Sequence, residues 1–188
     1  MTRTAVAAIV ACLLVAACLP LIAANPFVLT VGTIVALNMI GATSLHLIIR
    51  TGHVSLAHAG FMGIGGYTPT LTLMRLGWAF PFNLLAGAVM PALLALLLGP
   101  LLLRLQGKYF VLVTFLFGEI LRLAFVQWTS VTGGANGIFG IPTPAPIFAT
   151  PQAFYWLVFG IALLCGGLVA RLLSGGIGRV IDSLREGE

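Results

Sequence analysis

The chain has 188 residues, of which 60% are apolar and 7% charged, with a mean hydropathy of +1.15. That balance excludes an ordinary soluble domain, in which about 25% of residues are charged. The formal charge of +5 does not make a nucleic-acid binder, because the nine Lys and Arg residues stand apart, most of them near helix ends, and build no basic stripe with interleaved aromatics.

Apolar runs long enough for the roughly 20 residues of a bilayer crossing recur along the chain, each bounded by charge, Pro or Gly. They predict an all-α, polytopic membrane protein with about six transmembrane helices, at 4–23, 27–49, 54–74, 82–103, 109–127 and 153–171. The first run, with Arg3 ahead of it and Val15-Ala16-Ala17-Cys18 within it, also reads as a cleavable signal; a retained helix is the favoured reading. With both termini cytoplasmic, the inner side collects Arg3, Arg50, Arg104, Lys108, Arg171, Arg179 and Arg185, and the outer connections keep only Arg75. This matches the excess of Lys and Arg in cytoplasmic loops. Cys12, Cys18 and Cys165 lie in apolar runs without a CxxC or metal-ligand spacing.

Between the second and third spans stands GHVSLAHAGF, residues 52–61. Polar groups in hydrocarbon are costly unless they face protein or a watery path. Gly52 can break the helix and Pro69 removes one hydrogen bond inside the third span, so that span is expected to be interrupted or kinked. Ser55, Ala59 and Gly63 follow at i, i+4 spacing and form a small-residue ridge for close helix approach. Ala59, Gly60, Gly65 and Gly66 are assigned to helix packing, and Ser55, His58, Gly63 and Tyr67 to a solute pathway. A plain structural role for these polar groups stands beside the pathway reading. A metal site from His46, His53 and His58 is disfavoured, since no Asp, Glu or Cys accompanies them.

In the fifth span Glu119 and Arg122, at i, i+3, can share one helix face and offset their charges. They read as a buried ion pair, either structural or able to exchange partners in gating. The segment Thr132 to Pro146 is a Gly-, Pro- and Asn-rich outer loop containing Gly133, Gly134, Asn136 and Gly137. Gly107-Lys108 is followed by Tyr109 and lacks the upstream glycine of a P-loop, so nucleotide would have to be bound by another chain. No Ser/His/Asp or HExxH arrangement indicates an enzyme.

Three stretches carry a family resemblance: SLHLIIRTGHVSLAHAGFMGIGGYTPTL from Ser44, FVLVTFLFGEILRLAFVQWTSVTGGANGIFGIP from Phe110 to Pro142, and GRVIDSLREGE from Gly178. In this order they resemble the M-type (LivM-like) membrane permease subunit of branched-chain amino-acid ABC importers. His46, His53 and Ala57 stand where Asn, Gln and Gly are usual in that family. The resemblance implies inward transport of a branched-chain amino acid, or a similar small zwitterionic or amide solute, by alternating access across the bacterial cytoplasmic (inner) membrane. It implies a second permease subunit, ABC ATPase subunits that supply ATP hydrolysis, and an extracytoplasmic solute-binding protein facing the outer loop. No cofactor is expected on this chain. Residues 1–173 would be the transmembrane permease domain, incomplete relative to the family, and 174–188 the start of a cytoplasmic ATPase-docking loop. Gly178, Arg179, Ile181, Leu184, Arg185 and Glu186 would dock there; Ile181 and Leu184, with Val180, can form one apolar face of a short helix. The chain ends inside that loop, so the expectation is a truncated form that inserts without retaining ATPase. The alternatives are a non-transporting membrane protein that binds partner helices, and a stand-alone metal-ion carrier.

Overall fold

The computed structural model describes residues 25–105, 107–143 and 145–176, together with 12, 13, 15–18, 20, 178 and 181. Its secondary structure among those residues is helical. The long helices are α1 (Pro26–Arg50), α2 (His58–Leu76), α3 (Phe80–Leu102) and α4 (Gly107–Gln127). A single turn, α5 (Thr129–Thr132), two 3-10 turns and α6 (Pro151–Ser174) complete the order.

The ends of these helices follow from local chemistry. At α1, the Asn25 side chain accepts the Phe27 N–H at 3.0 Å and Pro26 occupies the first turn. Thr150 does the same for α6, accepting from the Ala153 N–H at 3.3 Å ahead of Pro151. Gly77 closes α2 with φ 63°, and its N–H donates to the Leu73 carbonyl at 3.1 Å.

Four of the helices, α1, α3, α4 and α6, are long and apolar enough to cross a membrane. They match the expected second, fourth, fifth and sixth spans within a few residues. The first span, 4–23, falls largely outside the described residues, and those described within it, 12, 13, 15–18 and 20, are helical. The third span is corrected at its start: residues 51–57 are not helical, and α2 begins at His58. It then runs as one helix through Pro69 rather than breaking inside. At 19 residues α2 is about 28 Å long, close to the hydrocarbon thickness, yet it is absent from the strongly apolar group. Its glycines, Thr68, Thr70, Thr72 and Pro69 are the reason.

Packing explains why so polar a helix is tolerated. α2 touches α3, α4 and α1, whereas α1 packs chiefly on α6. α2 and α3 approach at two glycines, where a Cβ on Gly87 would lie 3.0 Å from the Gly65 carbonyl oxygen and 3.2 Å from Pro69. A buried Asn83 (4% exposed) locks the same pair, donating to the Trp78 carbonyl and accepting from the Thr72 hydroxyl, both at 2.8 Å. On the other side Leu29, Tyr155 and Phe159 form a buried cluster against which Leu13, Ala16 and Ala17 pack. The Tyr155 hydroxyl donates to the Ala16 carbonyl at 2.7 Å, giving the N-terminal segment a place in the bundle. Elsewhere large apolar side chains face outward, Leu96 and Leu97 at 74% exposure each, as suits a helix surrounded by lipid tails.

Candidate functional site

The segment from Gly52 into α2 lies against α4 through a ladder of paired positions. Gly52, at φ 86°, turns the chain after α1. The His53 ring meets Phe110 edge-on at 4.7 Å, and its Nδ1 bonds the Thr51 carbonyl at 3.1 Å. The Leu56 N–H, outside any helix, donates to the Thr114 hydroxyl at 3.3 Å. Thr114 is 1% exposed and passes its own hydrogen to the carbonyl of Phe110 at 2.9 Å. Thus one buried hydroxyl satisfies a backbone donor that the non-helical segment would otherwise strand.

Further along, two α2 glycines, Gly60 and Gly63, receive α4 side chains. A Cβ on Gly60 would sit 2.7 Å from Leu121 Cδ1, and one on Gly63 only 2.6 Å from Phe125 Cε2. Gly118 returns the favour, admitting the Leu56 carbonyl and Ala57 backbone. Phe61 meets Phe117 at 5.8 Å, and Tyr67 stacks on Phe125 at 4.9 Å. The α4 face thus reads Phe110, Thr114, Phe117, Leu121, Phe125, steps of three and four that keep one side of a helix toward its neighbour.

Two hollows flank this seam and share Gly63. One of about 260 Å³ is lined by Leu56, Ala59, Gly60, Gly63, Phe115, Gly118, Glu119, Arg122 and Phe125. The other, about 310 Å³, is lined by Gly63, Gly66, Tyr67, Thr70, Ile138 and Ile141 and so reaches the loop after α4. The stacked rings of Phe125 and Tyr67 contribute one to each.

The structure redistributes the sequence-derived assignments. Gly63 and Tyr67 line the hollows; Ser55 and His58 line neither. His58 instead shares a 2.7 Å hydrogen bond between its Nε2 and Ser44 Oγ, tying α2 to α1. Ser55 precedes α2, so the ridge expected through Ser55, Ala59 and Gly63 loses its first member. The reason is the unwound turn after Gly52, which spends residues 53–57 in reaching α4. Gly60 lies against Leu121 and Gly65 against the Gly87 carbonyl, whereas Ala59 is exposed in the hollow and Gly66 has no neighbour within 4 Å of where a Cβ would stand.

Glu119 and Arg122 do pair, the carboxylate accepting from Nε at 2.9 and 3.0 Å and again from Nη2. They are not buried, however: their side chains are 40% and 59% exposed. The seam places Leu121 and Phe125 toward α2, which rotates residues 119 and 122 to the rim of the smaller hollow. In the loop, Gly133, Gly134 and Gly137 all take positive φ, and the Thr132 hydroxyl donates to the Trp128 carbonyl while accepting the Gly134 N–H. Arg75 anchors the loop by donating to the Ser130 carbonyl. Of the docking residues, Gly178 is buried and Ile181 half-buried; Arg179, Leu184, Arg185 and Glu186 lie outside the described residues. Among the described residues no three His, Cys, Asp or Glu side chains gather in a metal-binding group.

Asn83, Thr114 and Gly118 were not singled out from sequence. Only their chemistry hinted at them: an amide or hydroxyl within an apolar span must find a partner, and a glycine there marks close approach.

Comparison with known proteins places the sequence among transport permeases. Residues 36–188 match the family model "Branched-chain amino acid transport system / permease component". Over 138 residues, 70% of the chain, it is 38% identical to the high-affinity branched-chain amino acid transport system permease protein LivM of Escherichia coli (strain K12). It is 36% identical over 115 residues, 61% of the chain, to the LivM protein of Salmonella typhimurium (strain LT2). The aligned regions span 32% and 27% of those relatives' own lengths, so the match covers between a quarter and a third of each. No solved structure matches it. The chain belongs to the branched-chain amino acid transport system permease component family, a family of membrane transport components and not of enzymes.

Proposed function

We propose that this chain acts as a transmembrane permease subunit of an ABC importer, moving branched-chain amino acids or a similar small zwitterionic or amide solute inward by alternating access. The observation that carries the reading is the pair of hollows sharing Gly63 along the α2–α4 seam, one reaching Ile138 and Ile141 of the loop and the other holding Glu119 and Arg122. Small residues at the seam let the helices slide and rock with little steric change, and the stacked Phe125 and Tyr67 rings stand between the two spaces. The bilayer is that of the bacterial cytoplasmic membrane, as the relatives' transport systems support. Partner subunits complete the machine: a second permease subunit, ABC ATPases that hydrolyse ATP, and an extracytoplasmic solute-binding protein that meets the Gly133–Gly137 loop. The segment from 174 onward forms part of the ATPase-docking surface.

The test is uptake of labelled leucine in cells whose own branched-chain uptake is deleted, with the chain supplied as part of the assembled system. ATP-dependent accumulation is expected, and Gly63→Leu should abolish it without reducing membrane insertion. Normal uptake by well-inserted Gly63→Leu, or a native chain that inserts and binds its partners without any uptake, would overturn the reading in favour of a non-transporting helix-binding protein. The metal-ion carrier is disfavoured, because His58 Nε2 and His53 Nδ1 are engaged by Ser44 and Thr51 and no three potential ligands gather among the described residues.

A further inference from the structure

The exposed ion pair on α4 needs an explanation that self-neutralisation does not provide. Glu119 and Arg122 lie in the interior of a membrane-spanning helix, Gly107–Gln127, at the rim of a hollow whose other walls are glycine, alanine and apolar side chains. Charged side chains at that depth are expensive against lipid and belong where protein, water or a ligand meets them. At about 260 Å³ the hollow is smaller than the roughly 300–1,000 Å³ of pockets for drug-sized ligands, which suits a smaller solute.

We infer that this hollow is a binding subsite for a zwitterion with an apolar side chain, its ammonium held by Glu119, its carboxylate by Arg122, and its hydrocarbon part lodged against Leu56, Ala59, Phe115 and Phe125. The inference rests on the transport reading and names the solute chemistry of that site. Arg122 spends Nε and one Nη2 hydrogen on Glu119, so the Nη1 amine and the second Nη2 hydrogen can donate outward in the planar geometry that fits a carboxylate. Each Glu119 oxygen retains acceptor capacity for an ammonium. A solute with only one of the two charges would compensate only one member of the pair. Leu121 and Phe125 fill the places beside Gly60 and Gly63, and the apolar recess that remains is walled by Leu56, Ala59, Phe115 and Phe125. The arrangement therefore selects against simple amines and simple acids, since an unmatched polar partner is a stronger basis for rejection than a missing methylene.

The experiment measures binding to the chain in lipid nanodiscs, by equilibrium dialysis with labelled L-leucine and with two competitors. These are 4-methylpentanoate, which lacks the ammonium, and 3-methylbutylamine, which lacks the carboxylate. Leucine should bind, with each competitor about 10- to 100-fold weaker, the loss expected for one charge-assisted hydrogen bond. Glu119→Gln should collapse the preference over 4-methylpentanoate while leaving that over 3-methylbutylamine, and Arg122→Gln should do the reverse. The double substitution, which keeps a neutral hydrogen-bonding pair, should bind all three ligands alike; circular dichroism confirms that each variant is folded. Selectivity unchanged in both single variants overturns the subsite, and so does absence of leucine binding by the folded native chain. Shielding of Arg122→Cys from thiol reagents by a second chain would likewise overturn it, making the hollow a helix-packing surface. Leucine uptake in the assembled system separates the two levels: uptake with an unshifted competitor profile in both variants removes the subsite and leaves the transport reading standing.

Discussion

Replacing Gly63 by Ala and Gly66 by Ala inserts the same methyl group into the same helix three residues apart, yet the two should move stability in opposite directions. At Gly63 the new Cβ would lie 2.6 Å from Phe125 Cε2 and 3.3 Å from Cζ. The ring must shift, and overpacking of this kind costs about 1–3 kcal/mol. Phe125 also stacks on Tyr67 at 4.9 Å, and losing that stack adds about 0.5–1.5 kcal/mol. Against this, Ala is favoured over Gly in a helix by about 0.8–1.0 kcal/mol. The sum is a destabilisation of about 0.5–3.7 kcal/mol, the range being those three ranges combined. Gly66 has nothing within 4 Å of its built Cβ, so only the propensity gain remains. Unfolding in dodecyl maltoside micelles titrated with dodecyl sulfate, followed by far-UV circular dichroism, compares both variants with the native chain. A Phe125→Leu change should relieve Gly63→Ala, so that the double variant loses less than the two single losses added. Gly63→Ala as stable as Gly66→Ala would refute the α2–α4 seam as described.

Three further outcomes follow from the geometry. Asn83→Leu removes the amide that bridges the Trp78 carbonyl and the Thr72 hydroxyl, and should cost about 0.6–1.7 kcal/mol in the same titration, with faster hydrogen exchange at 77–79. Gly133→Ala should lose at least about 1–2 kcal/mol because φ is 77° and the Cβ would meet the Gly137 carbonyl, whereas Gly140→Ala, with open space around it, meets only the backbone penalty; limited proteolysis of the loop reads the difference. Tyr155→Phe deletes the hydroxyl that holds the Ala16 carbonyl and should raise hydrogen exchange across residues 12–18 while leaving α3 and α4 protected.

Much of the helical plan was legible along the chain. Four spans could be placed within a few residues, because about 20 consecutive apolar residues have few other uses and Gly, Pro and charge punctuate their ends. The glycine-rich third span was recognisable as a close-packing helix, and Glu119 with Arg122 as an ion pair, from spacing alone. The side on which each residue faces was decided by the fold. In a membrane, lipid tails and neighbouring helices are equally apolar, so a hydrophobic stripe does not tell the protein-facing side of a helix from the lipid-facing side. Thus α3 is apolar on every side apart from Asn83, and its packing shows that Asn83 and Gly87 face α2. Ser55 looked like the start of a helical ridge until the non-helical turn took it out, a turn stabilised by Thr114, 58 positions beyond Leu56. The ion pair's exposure likewise depends on Leu121 and Phe125 filling the places vacated by Gly60 and Gly63. Those fits between residues far apart in the chain determine the hollow, and local spacing carries no record of them.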